Sequence, residues 1–339
     1  MVVDKIAVLG FGNSGRRFAT LVSRRLPEAE LLVYSSRKLT GESFHFTSDL
    51  SEVPKFGPTI AIISGVASDR LAMIQALPNE MRGVLIEKPL AVHYEEGIQV
   101  TNELVQRGGT TQVGYNLRFS SSLREFKRKV DSLRFGRVLS VRAETGQYLP
   151  DWRNGRDYRT TASARGQSGG GVLRELSHEI DYLRWIFGDI GWVSAWCGKQ
   201  SDLEIDIEDT AHLTLGFALE SSRPAFVGQL NLDFVRHDRA RSITAVCAEG
   251  TLRWDGITLR VEEWPQGGAG WEVAYAEEAL APTSYERQWD SFYSAATKGV
   301  TPEVTVEDGL AVLSVIDSAR SSHDSQGIRV SPSHTGLSS

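Results

Sequence analysis

The chain has 339 residues, more than one hydrophobic core usually organises, so two domains are expected. Hydrophobic residues make up 41% of it and charged residues 24%, ordinary values that argue against a disordered or collagen-like protein. The formal net charge of -6 argues against a nucleic-acid partner, because binding to phosphates usually draws on clustered lysine and arginine.

Cysteine content and terminal pattern predict a cytoplasmic protein with no membrane partner. Cys197 and Cys247 form no spaced pair, so neither a disulfide framework nor a cysteine-rich zinc site is indicated, and we expect no metal. The N-terminus passes through Asp4 and Lys5 straight into an apolar strand pattern, which leaves no room for a signal peptide. No apolar run approaches the ~18 residues that a membrane helix needs.

From residue 5 to about residue 116, short apolar runs alternate with amphipathic stretches. We predict buried parallel strands at 6–9, 31–34, 59–63, 84–86 and 111–113, with crossover helices at 14–25, 68–77 and 94–107. This pattern predicts an N-terminal domain built on a parallel sheet with crossover helices, which we place at 1–118.

After about residue 120, apolar and polar residues alternate along strands, which indicates a sheet with one buried face. We predict strands near 139–143, 211–217, 226–232 and 242–246, a helix at 172–187, and a helix whose capping box joins Thr305 and Asp308. The fold class is therefore α/β, with a C-terminal α+β domain at 119–330 that holds a large, mainly antiparallel sheet. We expect the polar tail 331–339 to be disordered.

A GxGxxG motif lies between the first strand and the first helix. It consists of Gly10, Phe11, Gly12, Asn13, Ser14 and Gly15. In this context the first glycine permits a tight turn, the second lets the backbone approach a pyrophosphate, and the third lets the helix pack on the strand. We predict a dinucleotide site; the alternative is a glycine-rich structural turn.

The second strand ends without the carboxylate that usually binds the ribose of NAD. Ser36 and Arg37 stand there instead, so a 2′-phosphate is accommodated and NADP is favoured over NAD. A solvated turn is the alternative. We also expect Ser64, at the end of the strand 59–63, to hydrogen-bond the cofactor.

Glu87, Lys88 and Pro89 follow the strand 84–86, at the strand end where ligands of open α/β sheets bind. Pro89 disfavours helix at Lys88, which leaves the ammonium group able to project toward a cleft. We assign Glu87 and Lys88 to the cofactor site and Lys88 to catalysis, with a surface Lys-Glu pair as the alternative.

Four motifs in order resemble the Gfo/Idh/MocA oxidoreductase family, and the resemblance extends to about residue 330. They are GFGNSG at 10–15, EKP at 87–89, GYNLRF at 114–119 and GGGVLRELSHEID at 169–181. The chain looks most like a subgroup found in bacterial surface-sugar pathways. The resemblance implies a Rossmann domain joined to an open-sheet domain that forms a homodimer or homotetramer.

In that family the EKP lysine touches the reacting oxygen and a helix histidine exchanges its proton. The resemblance assigns those roles to Lys88 and His178, and an imidazole with an ordinary pKa of about 6.5 suits proton exchange at neutral pH. Glu175 and Asp181 are each three residues from His178, so either carboxylate is a candidate to orient the ring. Many members carry the acid four residues before the histidine, where this chain has Arg174.

We expect substrate contacts from two segments. Tyr115, Asn116 and Arg118 belong to the GYNLRF motif, and Trp152, Tyr158 and Arg159 lie in a loop rich in aromatic residues, arginine and carboxylates. Aromatic rings cover apolar sugar faces, and arginine donates to hydroxyl, carboxylate or phosphate groups. An oligomer interface is the alternative for the loop.

Together these features predict an NAD(P)-dependent oxidoreductase that transfers a hydride between the nicotinamide and a hydroxyl or ketone carbon of a sugar or nucleotide sugar. Two alternatives stay open: an NAD-dependent glycoside hydrolase of the same fold, and a regulator that senses NAD(P) without chemistry.

Overall fold

A computed structural model describes residues 4–37, 44–153, 155–218, 225–278 and 282–333. The chain divides into two compact units. The first unit consists of Met1–Tyr115 and Tyr285–Leu313, and the second consists of Asn116–Ser284 and Ser314–Ser339. The boundary proposed at residue 118 does not include the return of Tyr285–Leu313 to the first unit.

Strands and helices are numbered here in chain order. The strands are β1 (Lys5–Leu9), β2 (Glu30–Tyr34), β3 (His45–Thr47), β4 (Ile60–Ile63), β5 (Gly83–Ile86), β6 (Thr110–Val113), β7 (Val138–Gly146), β8 (Ile190–Gly198), β9 (Thr210–Phe217), β10 (Phe226–Asp233), β11 (Ala240–Cys247), β12 (Gly250–Asp255), β13 (Arg260–Pro265) and β14 (Glu272–Ala276). The α-helices are α1 (Asn13–Arg25), α2 (Glu52–Phe56), α3 (Arg70–Gln75), α4 (Tyr94–Arg107), α5 (Ser121–Asp131), α6 (Val172–Glu175), α7 (His178–Phe187), α8 (Ser284–Lys298) and α9 (Val306–Asp324).

The first unit is built on a parallel sheet with the strand order β3-β2-β1-β4-β5-β6. This is the order of a dinucleotide-binding Rossmann fold, so the predicted N-terminal fold class is confirmed. The residues of β4 and β5 are all buried, as expected for strands covered on both faces. Phe18 of α1 and Trp289 and Phe292 of α8 are buried in one apolar cluster with residues of these strands.

Some short elements of the first unit differ from the prediction. The helix predicted at 68–77 is a 3-10 turn (Ala67–Asp69) followed by the shorter α3, so its predicted length is wrong. The sequence also did not reveal α8 or the three-residue strand β3. Three residues are too few to show a period. The buried residues Trp289, Phe292 and Ala296 of α8 do recur at helical spacing, so that helix had a local signal.

The second unit contains an eight-stranded sheet with the order β14-β13-β12-β11-β7-β10-β9-β8. Within this sheet, as far as its strands are described, only β7 and β10 pair in parallel, and the other neighbours are antiparallel. The predicted large, mainly antiparallel open sheet is therefore confirmed. So is the capping box of α9: the Thr305 amide donates to Asp308 Oδ2 at 3.0 Å, and the Asp308 amide donates to Thr305 Oγ1 at 3.3 Å.

The continuous helix predicted at 172–187 is wrong. It is two helices, α6 and α7, with a break at Leu176 and Ser177. Leu176 has φ -100° and ψ 29°, outside the helical region, and Ser177 precedes α7 as its N-cap residue. Serine is a weak helix former in a helix interior, which is consistent with a break at this position.

The C-terminal segment is held to the second unit as far as the structure describes it. Val330 forms a bridge with Val193, and the carbonyl of Ser333 accepts a hydrogen bond from Ser314 Oγ at 3.1 Å. Residues 334–339 of the tail expected to be disordered lie outside the described residues. No helix in the described part of the chain is both long and apolar enough to cross a bilayer.

Candidate active site

The turn between β1 and α1 requires glycine at two of its three motif positions. Gly10 has φ +99°, and a Cβ built there would lie 2.6 Å from the Cα of Gly65. A Cβ on Gly15 would lie 2.6 Å from the Ser64 hydroxyl oxygen. Both glycines therefore let the β1–α1 turn pack against the segment that follows β4.

Gly12 differs from its two neighbours in the motif. A Cβ on this residue meets no protein atom within 4 Å, so protein packing does not account for a glycine at this position. Gly12 is exposed, precedes the first turn of α1, and no acidic residue lies in that turn. Exposed amide groups and the positive end of a helix favour an anion, so these residues fit the pyrophosphate of a dinucleotide.

Polar groups from three neighbouring strands meet at the carboxyl edge of this sheet. The Ser64 hydroxyl, after β4, donates to the carbonyl of Gly10 at 2.7 Å. Ser14, at the start of α1, donates to Glu87, which follows β5 and is buried. The structure thus brings Ser14, Ser64 and Glu87 together with the glycine turn, at the edge where such folds bind ligands.

Lys88 lies beside this edge and is half-buried. Its amide donates to Glu87 Oε2 at 3.3 Å, and its carbonyl accepts a hydrogen bond from Arg70 Nη2 at 3.0 Å. The peptide bond between Lys88 and Pro89 is cis. Hydrogen bonds of its amide and its carbonyl therefore hold the Lys88 backbone in a non-helical conformation.

The residues predicted to contact the 2′ substituent of the adenosine ribose lie at the end of β2. Ser35 is buried and accepts a hydrogen bond from the Arg37 amide at 3.2 Å, while Ser36 and Arg37 are exposed. The ring of Phe11 lies beside Phe46, with centroids 5.2 Å apart. An exposed cation and an exposed hydroxyl thus stand at the strand end, where an NAD-binding protein usually carries a carboxylate.

His178 is the first residue of α7 and is half-buried. Glu175 is the last residue of α6 and is also half-buried, so the helix break separates it from His178. Glu175 and His178 therefore belong to two different helices, whereas His178 and Asp181 share α7. Arg174, at the position where many relatives carry the acid, is buried and donates to the Gly170 carbonyl at 3.2 Å.

Arg118 and Asp181 form a buried ion pair with each other. Arg118 Nε donates to both carboxylate oxygens at 3.1 and 3.0 Å, and Nη2 donates to Oδ1 at 2.6 Å. Their side chains are 5% and 1% exposed. Arg118 was predicted to contact the substrate and Asp181 to orient His178, and their pairing with each other was not predicted.

Glu179 is the functional candidate that sequence reasoning missed. Its side chain is fully buried, and its Oε1 accepts hydrogen bonds from Thr145 Oγ1 at 2.8 Å and from Arg241 Nε at 2.7 Å. Burial raises the pKa of the adjacent Tyr182, and the negative charge of Glu179 raises it further. The sequence does show an acidic residue directly after His178. It does not show that Glu179 is paired, because its partners Thr145 and Arg241 lie on strands distant in the chain.

The remaining substrate candidates occupy different environments. Tyr115, in the first unit, is fully buried, and Asn116 of the second unit donates to Ser284 Oγ at 2.7 Å. Trp152 donates through its indole nitrogen to the Gln147 carbonyl at 3.0 Å, which fixes the ring at the base of its loop. The Tyr158 hydroxyl accepts from the Glu204 amide at 3.0 Å.

The arginines of this loop fall into two groups. Arg159 pairs with Asp157 at 2.8 Å and with Glu204 at 3.0 Å, so nearby carboxylates already balance its charge. Arg153 and Arg156 line a small cavity beside Trp152, and neither pairs with a carboxylate among the described residues. These two cations are therefore better placed than Arg159 to meet an anionic ligand.

Thiol and metal chemistry find no support in the described part of the chain. Both cysteines are free and buried. Burial raises the pKa of Cys197 to about 12 and that of Cys247 to about 11, so both thiols stay protonated at neutral pH. The described histidines, cysteines and carboxylates form no cluster that would hold a metal ion.

Two family models match the chain. The oxidoreductase family with an NAD-binding Rossmann fold matches residues 5–115, and the Gfo/Idh/MocA C-terminal domain matches residues 123–253. The chain therefore belongs to the Gfo/Idh/MocA oxidoreductase family, as the four sequence motifs indicated.

Curated relatives match over part of their length. The chain is 29% identical over 153 residues to a D-xylose dehydrogenase of Paenarthrobacter nicotinovorans, covering 44% of this chain and 39% of that protein. It is 38% identical over 141 residues to inositol 2-dehydrogenase 2 of Saccharopolyspora erythraea, covering 39% and 36%. In both comparisons the matched segment spans less than half of the relative.

A solved structure matches over nearly the whole chain. The WlbA dehydrogenase of Bordetella pertussis, in complex with NADH and UDP-GlcNAcA, superposes with a TM-score of 0.80. The match covers 98% of this chain and 99% of that protein at 19% sequence identity. At this identity the likeness establishes the shared two-part fold.

Proposed function

We propose that the protein is an NAD(P)-dependent dehydrogenase or ketoreductase acting on a sugar or nucleotide sugar. The observation that carries the proposal is the exposed Gly12 turn at the carboxyl edge of a Rossmann sheet, with Ser14 and Glu87 fixed beside it. The turn belongs to a chain of a known oxidoreductase family. The matched relatives named D-xylose and inositol dehydrogenases support a sugar or cyclic polyol as the class of substrate.

The nicotinamide group, when bound, supplies or accepts the hydride. In this proposal the chain's own residues bind the cofactor, orient the substrate and exchange a proton with its reacting oxygen. Lys88 Nζ donates hydrogen bonds to the reacting oxygen and stabilises its negative charge, and His178 gives or takes the proton of that oxygen. The first-turn amides of α1 hold the pyrophosphate, which positions the reactants for transfer.

Two features favour an acidic or nucleotide-linked sugar as the substrate. Arg153 and Arg156 have no carboxylate partner among the described residues and stand beside Trp152, so they suit a phosphate or carboxylate group next to a sugar ring. The solved structure named WlbA dehydrogenase, which shares this fold, was determined with UDP-GlcNAcA. A nucleotide-sugar acid of this kind carries both a diphosphate and a carboxylate.

We further propose that NADPH binds more tightly than NADH. The end of β2 presents an exposed guanidinium and an exposed hydroxyl, from Arg37 and Ser36, to the position of the ribose 2′ substituent. One charge-assisted hydrogen bond is worth ~1.5 to 3 kcal/mol, which is about a 10- to 100-fold difference in affinity.

The test of the proposed chemistry is a pair of variants, Lys88→Ala and His178→Ala, assayed by NADPH absorbance on a panel of nucleotide sugars and sugar acids. We expect each variant to lower kcat by about 100- to 10,000-fold, because each removes a group that handles the reacting proton or oxygen. Cofactor affinity, measured by fluorescence titration, should stay within about threefold for His178→Ala.

The matched controls are Lys55→Ala, an exposed lysine paired with Glu52, and His212→Ala, an exposed histidine bonded to Asn231. Both should keep full activity. Unchanged turnover in Lys88→Ala or His178→Ala would remove that residue from the mechanism. Sugar release without net change in NADPH absorbance would point instead to hydrolysis by the same fold.

A further inference from the structure

The start of α7 follows a turn whose backbone is hydrogen-bonded to α6: the Ser177 amide donates to the Arg174 carbonyl at 3.3 Å, and the Leu176 amide donates to the Val172 carbonyl at 3.0 Å. His178 is the first residue of α7, and α6 ends at Glu175, so no continuous helix fixes the direction of the histidine. Side-chain contacts of α7 with the sheet and with a 3-10 turn add to these backbone hydrogen bonds in fixing its first turn.

One such contact joins Glu179 to two strands of the sheet. Thr145 of β7 and Arg241 of β11 are directly opposite each other in the antiparallel register, so their side chains share one face of the sheet. Both donate to the same oxygen, Glu179 Oε1, at 2.8 and 2.7 Å. Because Glu179 is 0% exposed and Thr145 is 5% exposed, water does not compete for the hydrogen bond between them, whereas the Arg241 side chain is 19% exposed.

A second contact joins Asp181 to the 3-10 turn Asn116–Phe119 through the ion pair with Arg118. Residues two apart on an α-helix point about 200° away from each other around the axis. Glu179 and Asp181 are therefore anchored by hydrogen bonds on opposite sides of the same first turn. Each anchor includes a charge-assisted hydrogen bond, which is about twice as strong as a neutral one.

We propose that Glu179 and Asp181 are positioning residues, which hold the first turn of α7 so that His178 keeps the direction needed for proton exchange. The inference rests on the proposed role of His178. Neither carboxylate is assigned a contact with substrate or cofactor. A misplacement of about 1 Å in a reacting group lowers the rate by up to about 100-fold, so we expect loss of either contact to lower kcat.

The test compares Glu179→Gln with Glu263→Gln in the full-length protein. Glu263 is a matched control because it is also a buried acid of the second unit with two cationic partners, Lys129 at 2.7 Å and Arg134 at 3.0 Å. It lies on β13 and does not belong to α7. Both variants should lower the thermal midpoint by similar amounts, since each weakens a buried ion pair.

A second variant, Arg241→Met, tests the same proposal if Glu179→Gln folds poorly. It removes the charged donor from the other side of the same contact, and Thr145 still donates to Glu179. We expect Glu179→Gln and Arg241→Met to lower kcat by about 10- to 100-fold with less than a threefold change in KM and in NADPH affinity. Glu263→Gln should keep kcat within about twofold.

Two-dimensional NMR of the imidazole Cε1–H groups gives a readout besides activity. The chain has 7 histidines, and the His178 signal is assigned by its absence in His178→Gln. We expect Glu179→Gln and Arg241→Met to shift this signal and Glu263→Gln to leave it in place. If all three variants leave the His178 signal and kcat unchanged, Glu179 has no positioning role.

The outcomes separate this inference from the proposed function. Full activity in His178→Gln would overturn the proposed role of the histidine. Loss of activity in His178→Gln, combined with wild-type kcat in both Glu179→Gln and Arg241→Met, would overturn only the positioning role.

Discussion

Two regions of this protein prepare functional groups in different ways. In the first unit, the turn after β1 is shaped by backbone: Gly10 and Gly15 permit a close packing that a Cβ would block, and Gly12 is exposed with no protein atom near the position of a Cβ. In the second unit, the start of α7 is held by side chains, through Arg118–Asp181 and through Glu179 with Thr145 and Arg241. A site formed by the backbone can be predicted from a short sequence motif. A site held by side chains cannot, because its partners come from distant strands.

The largest expected effect comes from substitutions in the glycine turn. Gly10→Ala places a Cβ 2.6 Å from the Gly65 Cα at a positive φ, so we expect a loss of about 3 kcal/mol or more in the free energy of unfolding. Gly12→Ala meets no protein atom within 4 Å, so its stability should stay within about 0.5 kcal/mol. Chemical denaturation measures both free energies.

Cofactor titration completes the comparison between these two glycines. Gly12→Ala should weaken NADPH binding by at least about 10-fold while the protein stays folded, because the added methyl group stands where the pyrophosphate approaches. Wild-type affinity in Gly12→Ala would mean that the turn is structural, which is the alternative reading of the motif.

A second prediction concerns the loop arginines of the second unit. Arg153→Gln and Arg156→Gln should each raise KM for an acidic nucleotide sugar by about 10-fold or more, since each removes a charge-assisted hydrogen bond. Arg159→Gln is the matched control, because Arg159 is already paired with Asp157 and Glu204. Steady-state kinetics on charged and uncharged sugars measure the difference; equal KM values in all three variants would place the anion elsewhere.

The smallest expected effect is on cofactor preference. Arg37→Gln should weaken NADPH binding by about 10-fold and leave NADH binding within about twofold, because only NADPH carries the 2′-phosphate. Fluorescence titration with each reduced cofactor measures the ratio. Tighter binding of NADH than of NADPH by the wild-type protein would contradict the role given to Arg37.

Most of the fold was predictable from the sequence, because its signals are local. The apolar strands of the first unit, the glycine turn and the Thr305–Asp308 capping box each lie within a few adjacent residues. The alternation along β7, β9, β10 and β11 likewise indicated a sheet with one buried face.

The parts that the sequence did not predict depend on tertiary contacts. The helix pattern over 172–187 gave no sign of the break at Ser177, since the apolar residues on either side keep a helical spacing. Asp181 was assigned to His178 because the two are three residues apart, but its partner Arg118 comes from another element. Glu179 was not selected, because Thr145 and Arg241 converge on it only through the register of β7 and β11.

The most direct test of the central claim is a fluorescence titration of the purified protein with NADPH and NADH, alongside Gly12→Ala. Saturable binding of at least one reduced dinucleotide by the wild type, weakened at least about 10-fold in a folded Gly12→Ala protein, is the predicted result. No affinity of the folded wild-type protein for either dinucleotide would contradict the account.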